Sequence, residues 1–249
     1  MNREELLKIA KPILFNTEMV QAIIDNRKTV TRRIVKYYNR TPITDGRDKF
    51  YKIDENLNGN NPNRLYAGFY NDNDIFYIDD EKHIDGLYYP LYFKVGDILY
   101  VQETWQIHDL SPEFCMMIRF KADNHCELQV EFKSSRFDKF EKFYYKNGWQ
   151  SPYFMPKEAA RIFLKVTDVK VERLQNITEE QAVKEGCITF NDKIGNGKFD
   201  DVLEFDLTAK DAFVDLWNST LKKDSACTWM HNPYVWVIEF ERVLSDEYN

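Results

Sequence analysis

The chain is expected to fold as a single α+β domain, with a mixed sheet or small barrel carrying three or four helices. Three features of the sequence point there. Short segments of alternating apolar and polar residues recur along the whole chain, as half-buried strands require. Between them stand segments with apolar residues three and four apart, opened by capping residues. The two kinds of segment do not alternate strictly, which argues against a parallel β-α-β architecture. With 249 residues, 43% hydrophobic and 15% aromatic, the chain has ample material for a core.

Taken in order, Arg3 to Ala10 reads as a short helix and Ile13-Leu14-Phe15 as a first buried strand. Met19, Val20, Ile23 and Ile24 then form one helical stripe, with Thr17 as its N-cap and Glu18 in the first turn, where the helix dipole favours a carboxylate. Asn26 tolerates the left-handed conformation that stops a helix. Arg27, Lys28, Arg32 and Arg33 follow, with Thr29 and Thr31 among them. A helix there would strand charge on a buried face. The run therefore predicts a turn entering a strand, with Lys28 and Thr31 free to converge on one pocket. A solvated basic loop is the competing reading.

Residues 37–94 change to a composition rich in Asn, Asp, Tyr and Gly, with turn signals at Asp45-Gly46 and Asn58-Gly59 and short strands at Leu65 to Tyr70 and Ile75 to Ile78. Gly96-Asp97 turns into Ile98 to Trp105, whose alternation puts Leu99, Val101, Glu103 and Trp105 on one face. Glu103 then needs a partner, because an unpaired buried carboxylate is costly. A structural ion pair and a ligand contact both satisfy that need. Trp105 serves either as core or as a base-stacking ring.

Phe114 to Lys121, Cys126 to Lys133 and Phe140 to Lys146 predict a β-meander, and Arg161 leads into a strand from Ile162 to Arg173. Thr178 and Gln181 form a capping box, Ile177 is placed to pack on Ala182, and Gly186 ends that helix, leaving Glu185 in its last turn. A strand is expected over Leu203 to Asp206. Thr208 with Asp211 opens a second helix that buries Phe213, Leu216, Trp217 and Leu221. Tyr234 to Val243 is the final, interior strand. Asn232 before it either presents its amide to a base edge or makes the turn before Pro233.

Composition limits the function classes. No apolar run is long enough to span a bilayer and the N-terminus has no signal-peptide core, so a cytoplasmic protein without a membrane partner is expected. Cys115, Cys126, Cys187 and Cys227 and the four histidines are dispersed, so neither a disulfide framework nor a metal site is expected. The net charge of −7 argues against non-specific coating of nucleic acid, which depends on neutralising phosphates. The basic run is a local exception, able to attract one phosphate or nucleotide.

The motifs Lys11-Pro12-Ile13-Leu14-Phe15, Arg27-Lys28-Thr29-Val30-Thr31-Arg32-Arg33, Gly96 to Trp105, Met155 to Arg161, Leu174 to Ala182 with Glu185-Gly186, and Asn232 to Phe240 occur in that order, within segments that make up somewhat more than half of the chain. In this order they resemble ASCH-domain proteins, the RNA-associated branch of the PUA-like superfamily, and in particular the larger phage and prophage forms. Asn26 stands where that family usually has Gly, and both accept positive φ. The resemblance implies a PUA-like pseudo-barrel with core segments near 11–36, 95–106 and 152–244 and insertions near 37–94 and 107–151.

It also implies chemistry. Small bacterial members hydrolyse N4-acetylcytidine with a lysine, a threonine three residues later and a glutamate, which carry over to Lys28, Thr31 and Glu185. A threonine hydroxyl needs a neighbouring base, and a lysine can be that base when its pKa is lowered, to which Arg27, Arg32 and Arg33 would contribute by repulsion. Arg27, Arg32, Arg33, Glu103, Trp105, Arg161 and Asn232 are the expected contacts to a modified nucleoside, nucleotide or RNA. No cofactor and no obligate protein partner are expected. The alternatives are a non-catalytic nucleotide- or RNA-binding module and a ribonuclease, although these motifs hold no histidine pair for acid–base cleavage. For Glu185 the competing reading is a solvated helix-end residue, and on either reading Glu185→Gln is expected to preserve stability.

Overall fold

The computed structural model describes residues 1–35, 49–54, 65–70, 75–78, 81–84, 87–188, 208–222 and 225–243. It is a mixed α+β protein, and among the described residues none of its sheets closes into a barrel. The chain divides into two compact units, one of residues 1–27, 96–165 and 240–249, the other of residues 28–95 and 166–239.

The first unit begins with α1 (Arg3–Ile9), capped by Asn2 and Glu5 in a reciprocal capping box. Strand β1 (Lys11–Leu14) follows, then α2 (Thr17–Ile24). The cap of α2 is Asn16, whose side chain accepts from Met19 N at 2.8 Å, and not the expected Thr17. Two adjacent residues of capping type competed there, and the asparagine has the extended backbone that a cap needs.

Next in this unit come β8 (Ile98–Gln102), β9 (Trp105–Ser111), β10 (Cys115–Phe120), β11 (Asp123–Glu131) and α3 (Phe137–Lys146). A meander forms in antiparallel order from β9, β10 and β11, in which β10 and β11 are the first two expected strands and β9 is an unexpected third. Phe140 to Lys146, expected as its third strand, is helical: Phe137, Phe140, Phe143 and Tyr144 recur at three and four residues, and that spacing buries one helical face. Trp105, Ile107, Met116, Ile118, Phe120 and Phe140 are all but fully buried in the same core cluster. Strand β1 runs parallel to β8, which pairs antiparallel with Phe163–Lys165 at the start of β12 (Phe163–Arg173).

The second unit contains β2 (Val30–Ile34), paired antiparallel with Val235–Glu239 of β13 (Tyr234–Val243). In this unit β13 stands between β12 and β2. Between β2 and β8 in sequence lie β3 (Lys49–Asp54), β4 (Leu65–Tyr70), β5 (Ile75–Ile78), β6 (Glu81–Ile84) and β7 (Leu87–Leu91), which form a three-stranded sheet β3-β4-β7 and a hairpin β5-β6. The strands expected at Leu65 and Ile75 are thus present; the turn signals at Asp45-Gly46 and Asn58-Gly59, and the strand expected over Leu203 to Asp206, lie outside the described residues.

Helices α4 (Glu179–Lys184) and α5 (Ala209–Ser219) complete this unit. Both begin with the capping boxes read from the sequence, Thr178 with Gln181 and Thr208 with Asp211. Ile177, Ala182, Phe213 and Trp217 pack with Val30, Val235 and Val237 in one cluster, so the helices cover one face of the β2/β13 pair. No helix among the described residues is long and apolar enough to cross a membrane.

Candidate functional site

The candidate site assembles where the chain leaving α2 meets the end of α4. Asn26 adopts φ 57°, the left-handed turn expected of it, and its reversal takes the chain off the helix. Two residues on, Lys28 forms an antiparallel bridge with Glu185, and Thr29 N donates to Lys184 O at 2.9 Å. Gly186, at φ 91°, ends α4 immediately afterwards. Backbone geometry therefore holds Lys28 against a residue 157 positions away.

The side chains complete the junction. Lys28 Nζ donates to Glu185 Oε2 at 2.6 Å, to Glu185 O at 2.8 Å and to Val30 O at 2.7 Å, which occupies all three ammonium hydrogens. Arg32 Nη1 donates to Glu185 Oε1 at 3.1 Å, and Arg32 Nη2 donates to Gln181 Oε1 at 2.9 Å and lies 3.7 Å from Glu172 Oε2. Gln181 Oε1 also accepts from Thr178 N, so the residue that caps α4 holds Arg32 as well. Because Gln181 and Glu185 are four apart, Arg32 spans one turn of the helix. Its Nε is buried and has no hydrogen-bond partner among the described residues.

Lys28, Thr31, Arg32 and Glu185 are each no more than 3% exposed. Burial pushes the Lys28 ammonium below its ordinary pKa; Glu185 pulls it back up and Arg33 presses it down further. Arg33 is half-buried, and its guanidinium is also lowered by desolvation, against the attraction of Glu185. The solvated helix-end reading of Glu185 is therefore excluded: it is a buried anion held between two cations.

Alternation along β2 divides the basic run between two faces. Thr31 lies opposite Ile238 and Arg33 opposite Trp236, whereas Arg32 lies opposite Val237, on the face where its guanidinium stands 5.8 Å from the Phe213 ring. Lys28, Arg32 and Glu185 are thus joined by direct bonds. Thr31 neighbours them along the strand, and its hydroxyl takes part in no side-chain hydrogen bond among the described residues. Arg27 turns back to Asp25, at 2.9 Å.

The other expected contacts have structural partners. In the first unit, Glu103 is 1% exposed and receives a two-pronged bond from Arg161 Nε and Nη2, both at 2.9 Å. Arg161 lies 4.2 Å from the Phe120 ring and 3.5 Å from Asp123. Burial raises the Glu103 carboxyl above its ordinary pKa, and the guanidinium opposes the rise. Trp105 is fully buried in core, with Phe143 edge-on at 5.5 Å. In the second unit, Asn232 makes the turn: at φ 44° its Oδ1 accepts from Gln175 N and its carbonyl accepts from Arg173.

Sequence reasoning missed Gln181 and the pairing of Arg32 with Glu185. The signal for the first was present, since Gln181 and Glu185 share a helical face. Among the described residues, no three His, Cys, Asp or Glu side chains are grouped to hold a metal ion. Comparison of the chain with family models, with curated proteins and with solved structures found no match.

Proposed function

We propose that the chain is an ASCH-type, PUA-like protein that hydrolyses the acyl amide of an N4-acylated cytidine, as nucleoside or nucleotide, at Lys28, Thr31 and Glu185. The observation that carries this reading is the buried Lys28–Glu185 pair, with a buried threonine three residues after the lysine in the chain. Ion pairs of this kind seldom repay their desolvation by stability alone.

The pair supplies a base without a change of net charge. Burial of Lys28 favours its neutral amine, and a proton passed along its bond to Glu185 stays within the pair. The amine takes the hydroxyl proton as Thr31 Oγ1 attacks the acyl carbon. The C–N bond then breaks, the departing N4 amine takes that proton back, and an acyl ester remains on Thr31. Water deprotonated by the same amine hydrolyses the ester, releasing a carboxylic acid and restoring the hydroxyl.

A non-catalytic nucleotide-binding module is the second reading, and one observation favours it: all three Lys28 hydrogens are occupied by oxygens other than that of Thr31. Incubation with a panel of N4-acylated cytidines, followed by mass spectrometry, separates the two. Cytidine and free acid are expected products; binding without product from any member would establish the second reading in place of the first.

A further inference from the structure

We infer that the first unit carries a binding surface for single-stranded nucleic acid, built from α3 and the turn that follows it and independent of the hydrolase reading. A chain of ring contacts leads outward from the buried Trp105 to Phe143 at 5.5 Å, from Phe143 to Phe154 at 5.9 Å and from Phe154 to Tyr153 at 5.3 Å. Phe154 is 49% exposed and Tyr153 71% exposed. Leaving such large apolar rings in water forgoes the free energy of burying them, and neither is buried in the turn Pro152–Phe154. Held by neighbouring rings, they lose little freedom when a flat partner stacks on them.

Charge identifies the partner. Lys139 and Lys146 stand four residues before and three after Phe143, which places them beside it on the helix surface, with Lys142 next to both. All three are exposed, and among the described residues none is paired with a carboxylate. Of the acids of α3, Glu141 falls with Tyr145 on the flank away from Phe143, and Asp138 stands one turn before Lys142. Residues 133–157 hold six lysines and arginines against two acids in a chain of net charge −7. Rings flanked by unpaired lysines match a partner that offers bases to stack and phosphates to neutralise. A duplex keeps its base faces covered, so the strand must be single. Residues 137–154, which carry the exposed rings and the lysines beside them, lie outside the motifs that carry the family resemblance.

The test is fluorescence anisotropy of the full chain with labelled oligouridine and oligothymidine single strands and a matched duplex, at low and moderate salt. Both single strands are expected to bind more tightly than the duplex. Tyr153→Ala with Phe154→Ala is expected to weaken binding at least about tenfold, through the loss of base stacking. Lys139→Gln with Lys146→Gln is expected to reduce the salt slope by about 0.7 per charge removed. All four sites are exposed, and unchanged melting temperatures confirm that the variants fold. Absence of single-strand binding, preference for the duplex, or affinity unaffected by either pair would overturn the proposal. So would binding of anionic vesicles without oligonucleotide binding.

Discussion

Lys28 Nζ lies 2.6 Å from Glu185 Oε2, and neither side chain is more than 3% exposed. Glu185 is the anion that two buried cations share, because Arg32 Nη1 reaches its other oxygen. Glu185→Gln therefore leaves both cations in a dry site without compensation and is expected to cost about 3–5 kcal/mol. Lys28→Met is expected to cost less, since Glu185 keeps Arg32. Urea unfolding of the two variants checks the order. This corrects the expectation that Glu185→Gln would preserve stability, which assumed a solvated carboxylate.

The depressed pKa of Lys28 gives a pH dependence of known sign. Below its folded pKa the buried ammonium carries its full desolvation penalty, while the unfolded chain still holds the proton up to about 10.5. Between those two values the unfolded state binds more protons, so stability rises with pH. The wild type is expected to gain on Lys28→Met as pH rises toward 10.5, measured as the difference between their unfolding free energies. A difference that does not change with pH would show that Lys28 titrates normally.

What could be read from the sequence was local. The capping boxes of α4 and α5 declare themselves because Thr178, Gln181, Thr208 and Asp211 act on backbone within three residues. Asn26 and Gly186 are legible for the same reason, since positive φ is a property of the residue itself. Phe140 to Lys146 misled because its aromatic residues fit either period over so short a run, and only packing on the core decides. The partner of Arg32 lies 153 residues away, and nothing in either local pattern connects them. The burial of Glu185 was hidden in the same way, because a glutamate at a helix end is ordinarily solvated.

Glu103 and Arg161 test whether a second buried pair is structural. Arg161→Met alone should leave Glu103 charged and unpaired, at a cost of about 3–5 kcal/mol. Glu103→Leu combined with Arg161→Met should recover most of that loss, because apolar side chains of similar volume carry no desolvation penalty. The carboxyl pKa is raised above 4.5, so stability should fall as pH rises from there to the folded value, and this slope should vanish in the double variant. Denaturant unfolding across that range measures both effects. A double variant no more stable than Arg161→Met would mean that the pair holds the fold in some other way.

Asn26→Ala is expected to destabilise by about 1–2 kcal/mol, the cost of placing a side chain with an ordinary Cβ in the left-handed region, while Asn26→Gly should be nearly neutral. Thermal melts of both variants check it. The turn delivers Lys28 to Glu185, so Asn26→Ala should also weaken whatever the junction does, and Asn26→Gly should not.

Thr31 is the residue on which the hydrolase reading turns. It is 1% exposed and lies within β2, where valine has the same shape and suits a strand at least as well. Its hydroxyl has no side-chain hydrogen bond to lose among the described residues. Thr31→Val is therefore expected to change stability by less than about 1 kcal/mol, well inside the ordinary range for a point substitution. As a nucleophile, however, the hydroxyl cannot be replaced by a methyl group. Turnover of an N4-acylated cytidine should disappear in Thr31→Val and persist at a reduced rate in Thr31→Ser. An acyl adduct on Thr31, seen by mass spectrometry of the protein after brief exposure to substrate, would assign the attacking atom. Undiminished turnover in a folded Thr31→Val would remove Thr31 from the chemistry and leave Lys28 to activate water directly.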